Sequence, residues 1–140
     1  NKEELLDFYR HTAGSRERWK KRNRFYHRSL EGFFSFIIPE GKKVLEVGCG
    51  SGDLLNSVHP AYGVGIDFAP EYIEIARKKY PELHFEVDDI EQLQLQGQFD
   101  YILLSDLTNC LWDVQKALHN LRRLCHAQTR IIISQYNYMW

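Results

Sequence analysis

The chain has 140 residues, 44% of them hydrophobic and 26% charged, which suits one domain with one core and excludes intrinsic disorder. The formal net charge of −1 is unevenly spread: residues 1–30 hold nine Lys/Arg against four Asp/Glu, and residues 31–140 hold nine against fifteen. The acidic body argues against tight binding of nucleic acid, and no apolar run nears the ~20 residues of a membrane span.

The N-terminus, NKEELLDFYRH, lacks the basic-then-apolar order of a signal peptide, and without a Met at position 1 it predicts that translation starts upstream. Residues 1–40 read as helical. Trp19, Tyr26, Leu30, Phe33 and Ile37 fall on one helical face, and Pro39-Glu40-Gly41 ends it. The basic run RERWKKRNR (16–24) suits a solvated face that complements the acidic body, or else a site for an anionic substrate.

From Lys42 short apolar runs alternate with helical stretches. KVLEV (43–47) is a strand, followed by glycines at 48, 50 and 52 and a helix that ends near His59-Pro60. GVGID (63–67) is the second strand. Pro70 opens a helix carrying Tyr72, Ile73, Ala76 and Tyr80. HFEV (84–87) and DYILLS (100–105) are strands three and four, with a polar turn around Glu91 between them. The fourth is apolar enough to be covered on both faces. Trp112 to Cys125 reads as a helix with Val114, Ala117, Leu118, Leu121 and Leu124 inward and Trp112 filling core beside strand four. RIIIS (130–134) is the fifth strand. Cys49, Cys110 and Cys125 are odd in number and far apart, which excludes a disulfide framework and zinc-site spacing. They predict no metal and a reducing, cytoplasmic setting.

Strands alternating with helices predict an α/β, doubly wound parallel sheet in the order 3-2-1-4-5, with ligands at the switch point beyond the carboxyl ends of strands one and four. The glycines lie at that point, and such spacing predicts that something approaches the main chain closely. Asp67, at the end of strand two, is placed to accept both hydroxyls of a ribose. A dinucleotide site reads G-x-G-x-x-G, whereas this turn reads G-C-G-S-G-D. Asp53 therefore stands where a pyrophosphate would need a glycine, which counts against NAD.

VLEVGCGSG, GVGIDFAPEYIEIARKKYP, FEVDDIEQL and FDYILLSDLTNCLWD resemble the successive motifs of class I S-adenosylmethionine-dependent methyltransferases, over about Val44 to Ser134. The resemblance implies a Rossmann-like three-layer sandwich over residues 41–140, with residues 1–40 as a helical lid. It implies that Glu46, Gly48, Cys49 and Gly50 line the methionine part of the cofactor, that Asp67 holds the ribose, and that Phe68 covers the adenine. Asp89 and Ile90 match positions at the adenine edge, with the neighbouring Asp88 left to cap the turn. Ser105, Asp106 and Leu107 match the loop facing the sulfonium and amino group. Tyr26 and His27 lie on the lid. Tyr26 is equally explained by core packing, Asp106 by an ordinary helix cap, and Glu46 by capping of backbone amides. Arg24 could reach the cofactor's carboxylate.

The function implied is methyl transfer from S-adenosylmethionine, leaving S-adenosylhomocysteine, to a small-molecule or sugar/lipid-type acceptor. His27 and Asp106 are the candidates for a base. The alternatives are a non-catalytic domain that binds the cofactor or a nucleoside, and an NAD-dependent oxidoreductase. Relatives continue past strand five with a helix and two antiparallel strands. The apolar edge of strand five therefore predicts that more chain, or a partner such as a second copy, covers it.

Overall fold

The structure, a computed structural model, describes residues 2–135. Two helices, α1 (Lys2–Arg22) and α2 (Arg24–Ile37), precede an alternation of β1 (Lys43–Val47), α3 (Asp53–Ser57), β2 (Tyr62–Asp67), α4 (Pro70–Lys79), β3 (His84–Val87), β4 (Phe99–Ser105), α5 (Val114–Leu121) and β5 (Cys125–Ser134). The five strands form one parallel sheet in the order β3-β2-β1-β4-β5, as the alternation predicts. Among the described residues, no helix is long and apolar enough to cross a membrane.

Both faces of the central strands are covered. Leu45, Val47, Ile66, Ile102 and Leu104 pack with Ala117 and Leu121 of α5. On the other face Val44, Tyr101 and Leu103 pack with Phe34 of α2, Leu54 and Leu55 of α3, and Ile73 and Ala76 of α4. Alternate side chains of one strand thus serve two cores, which is why these strands read as near-continuous apolar runs.

Three expectations need correction. The helical stripe does not run unbroken from Trp19, because the chain breaks helix at Asn23, whose Nδ2 donates to Trp19 O at 3.2 Å. The break resets the phase, so Phe34 goes inward between Leu30 and Ile37 while Phe33 and Trp19 stay half exposed. The helix after strand four starts at Val114, since the Asp113 side chain accepts the Lys116 N–H at 2.8 Å and caps it there. Trp112 therefore lies outside the helix and is 63% exposed, and Val114 is also partly exposed, so neither fills core. Finally, β5 begins five residues before Arg130. Phe99 pairs with Cys125 and Tyr101 with Arg130, a register slip that lets the polar CHAQT stretch join the ladder.

Candidate functional site

The first βα turn is held by main chain. The Gly48 and Cys49 N–H groups both donate to Ile66 O, at 2.8 and 3.0 Å, which ties the end of β1 to the end of β2. Gly48 and Gly52 have φ of 72° and 81°, where a side chain is strained. A Cβ on Gly48 would stand 2.8 Å from Leu107 Cδ1, and one on Gly52 would stand 2.6 Å from Phe85 Cζ. What approaches the backbone at these two positions is the protein itself. At Gly50 nothing lies within 4 Å of a built Cβ, so there the turn is bare toward the cavity.

Carboxylates ring this turn. Asp67 accepts the Gly50 N–H on Oδ2 at 2.9 Å and the Ala69 N–H on Oδ1 at 3.0 Å, serving the turn at the end of β2 and the glycine loop together. Glu46 accepts the Leu55 N–H in the first turn of α3 at 3.0 Å. Burial, only partly opposed by Lys20 and that amide, pushes Glu46 up to about 8, so it is largely protonated at neutral pH. Burial also drives the Cys49 thiol well up, with Glu46 and Asp67 adding to it, which leaves Cys49 a small apolar residue.

Asp53 was not singled out as a contact from sequence, and it is a hub. Its Oδ2 accepts from Lys20 at 3.0 Å and from Ser51 at 2.9 Å, and its Oδ1 accepts from Tyr80 at 2.6 Å and pairs with Lys79. Burial works against ionisation here, but Lys20, Lys79 and Tyr80 outweigh it and hold the carboxyl well below the usual range. The charge at Asp53 is thus compensated, so the argument that a bare carboxylate there repels a pyrophosphate no longer holds.

At the end of β4, Asp106 adopts φ 52°, in the left-handed region that Asp tolerates better than most residues. Its N–H donates to Ser134 O, and its Oδ2 accepts the Tyr26 hydroxyl at 2.6 Å. Its Oδ1 is buried with no hydrogen-bond partner among the described residues. The preceding Ser105 hydroxyl accepts from Ser134 Oγ at 3.1 Å. Asp88 takes the Asp89, Gln94 and Leu95 amides, while Asp89 takes the Glu91 amide, so both neighbours cap the turn after β3.

The helices α1 and α2 close over these groups. A cavity of about 420 Å³ is lined on one side by Glu46, Gly48, Cys49, Gly50, Asp67, Phe68, Ser105, Asp106 and Leu107, and on the other by Tyr9, Lys20, Lys21, Arg24, His27 and Arg28. A smaller cleft of about 50 Å³ shares Gly48, Asp67, Phe68 and Leu107 and adds Asp89, Ile90, Glu91 and Trp112. The expected site residues converge on these two spaces, with Tyr26 attached through Asp106. The His27 ring sits edge-on between Trp19 and Tyr26, at 5.9 and 5.4 Å.

Besides the contacts of Asp53, sequence reasoning missed three contributors. The Tyr9 ring meets Phe68 edge-on at 5.4 Å, and its hydroxyl lies 3.6 Å from Cys110 Sγ. Lys20 reaches Ser51 at 2.6 Å as well as Asp53, which fixes α1 onto the glycine turn. Glu91 is buried and accepts the Asp113 N–H at 2.6 Å, joining the cleft to the start of α5. Only Lys20 carried a signal, as part of the basic run. No local pattern links Tyr9 to Phe68 or Glu91 to Asp113.

A crevice at the switch point, with bare main chain, a carboxylate at the end of the second strand and an apolar flank, is built to hold an adenosine-type ligand. Comparisons with known proteins agree. Putative methyltransferase 235L of Invertebrate iridescent virus 6 is 22% identical over 120 residues, which covers 82% of this chain and 45% of that protein. Ubiquinone biosynthesis O-methyltransferase of Coxiella burnetii is 30% identical over 108 residues, 72% of this chain and 46% of that one. The chain thus spans less than half the length of these relatives. A TehB-like SAM-dependent methyltransferase from Corynebacterium glutamicum superposes with a TM-score of 0.68 at 25% identity, covering 84% of this chain and 70% of that structure. Residues 38–139 match the family described as "Methyltransferase domain", and the chain belongs to that family, with the Rossmann-like fold of class I S-adenosylmethionine-dependent methyltransferases.

Proposed function

We propose that this chain binds S-adenosylmethionine in the cavity over the glycine turn and serves methyl transfer to a small-molecule or sugar/lipid-type acceptor. One observation carries the reading. Asp106, on the cavity wall, keeps a buried Oδ1 without a partner, and leaving such an acceptor unmatched costs about 1–3 kcal/mol. A donor such as an amino group removes that cost. The residues present suit the cofactor in other respects. Asp67 lines the cavity at the end of β2, where a carboxylate suits the ribose hydroxyls. Phe68, Asp89 and Ile90 suit the adenine, and Gly48, Cys49, Gly50 and Glu46 the methionine part. Ser105, Asp106 and Leu107 suit the amino and sulfonium groups, and Arg24 the carboxylate.

Bound there, the cofactor supplies a methyl carbon already activated by its sulfonium. The chain's own residues then orient the reactants and exclude water. On this reading residues 1–40 act as the lid and residues 41–140 as the cofactor-binding domain. An oxygen acceptor, of the kind named for the Coxiella relative, needs its proton taken. The His27 ring, on the roof of the cavity, and the Asp106 carboxylate, on its floor, are the bases in reach.

Calorimetric titration with S-adenosylhomocysteine and, separately, NAD tests the reading. Binding of the homocysteine compound at about micromolar affinity, without comparable binding of NAD, is the expected result. Binding of NAD alone overturns it.

A further inference from the structure

The cavity wall formed by the helices is cationic beyond its internal needs. Lys21, Arg24 and Arg28, spaced three and four apart across the break at Asn23, all line the cavity. None makes a hydrogen bond or ion pair among the described residues. Lys20 and Lys79 are different, since both are spent on Asp53. The lining as a whole holds five Lys/Arg and five carboxyl groups, Glu31, Glu46, Asp53, Asp67 and Asp106, and burial leaves Glu46 largely protonated at neutral pH. A cofactor bearing a sulfonium, an ammonium and one carboxylate adds a further net positive charge. Its carboxylate occupies at most one of Lys21, Arg24 and Arg28, of which Arg28 already acts on the neighbouring Glu31 carboxyl. Cofactor and roof therefore carry net charge of the same sign, which an anion entering with the acceptor offsets.

We propose that the acceptor carries an anionic group, a carboxylate or a phosphate, which docks on Lys21 and Arg28 at the mouth of the cavity. The inference rests on the cofactor reading above and names the substrate class for that site. Both side chains are exposed, so they remain solvated until the anion arrives, and the guanidinium of Arg28 offers the planar fork that oxyanions take bidentately. The basic run, read from sequence as a solvated face or else a site for an anionic substrate, here gives Lys20, Lys21 and Arg24 to the cavity lining.

The test titrates the protein, saturated with S-adenosylhomocysteine, with phenylacetate, phenyl phosphate and uncharged phenylacetamide, followed by NMR shifts. The two anions are expected to bind about tenfold more tightly than the amide. That gap should close in the Lys21→Gln/Arg28→Gln double variant and return in Lys21→Arg/Arg28→Lys. The tighter of the two anions identifies which group the mouth prefers. Equal binding of amide and anions, binding of none of the three, or a gap that survives Lys21→Gln/Arg28→Gln overturns the proposal. Failure of the wild-type protein to take up S-adenosylhomocysteine overturns the cofactor reading instead, while the same titrations on the unloaded protein still report on the cations.

Discussion

The two walls of the cavity are built by different means. The sheet wall is held through main-chain amides: Gly48 and Cys49 donate to Ile66 O, and Gly50 and Ala69 donate to the Asp67 carboxylate. The helix wall is attached by side chains, through Lys20 to Ser51 and Asp53, Tyr26 to Asp106, and Tyr9 against Phe68. Main-chain bonds of the first kind form with the sheet and persist as long as it does. Contacts of the second kind are separate side-chain bonds, as the lid we propose requires, while Phe34 seats α2 in the core. On the proposed reading, a ligand meets a floor bonded through main-chain amides and a lid held by separable side-chain contacts.

The sharpest way to break that contrast is to strain the floor. Gly52→Ala puts a methyl 2.6 Å from Phe85 at φ 81° and should destabilise the whole domain by about 3 kcal/mol in urea unfolding. A loss confined to the roof would contradict a rigid floor. Next, Asp67→Ala should weaken S-adenosylhomocysteine binding by about 2 kcal/mol by calorimetry, because a charged acceptor is lost, and an unchanged affinity removes its ribose role.

Glu46 gives a pH signature of the floor. The folded group titrates near 8 against 4.5 for the ordinary carboxyl, so its contribution to stability is complete below about 4.5 and declines as pH rises through 8. Between pH 6 and 8 wild-type stability should fall by up to about 1.4 kcal/mol per pH unit relative to Glu46→Gln, measured by urea midpoints. Asp53, depressed instead of raised, contributes fully above about 3.8 and loses that contribution only at acid pH, below this window. The smallest effect belongs to the roof. Tyr26→Phe removes one hydrogen bond to Asp106 and should cost about 1 kcal/mol, visible as faster amide exchange in α2 with β1 and β4 unchanged.

Much of the floor was legible because its signals are local. Apolar runs of strand length, three glycines and an acidic residue after the second strand carry their conformational reasons within a few positions. The roof was not, because its contacts depend on one joint. Nothing in RERWKKRNR marks Asn23 as the place where helix phase resets, and shifting that phase exchanged Phe33 for Phe34 in the core. Trp112 was misread for a similar reason. A cap at Asp113 decides whether the preceding residue continues the helix or leaves it, and periodicity does not register caps. The early start of β5 was hidden because CHAQT pairs across a slipped register without an alternating pattern.

The meeting of Lys20, Lys79 and Tyr80 on Asp53 has one more outcome. A single carboxylate at the head of α3 fastens α1 and α4 together, and two of its three fasteners are ammonium groups still reached by solvent. Added electrolyte weakens those fasteners and leaves amide-to-carbonyl bonds untouched. On the proposed lid reading, bound S-adenosylhomocysteine should therefore leave faster as ionic strength rises, which makes the salt content of the medium a throttle on how long it stays inside.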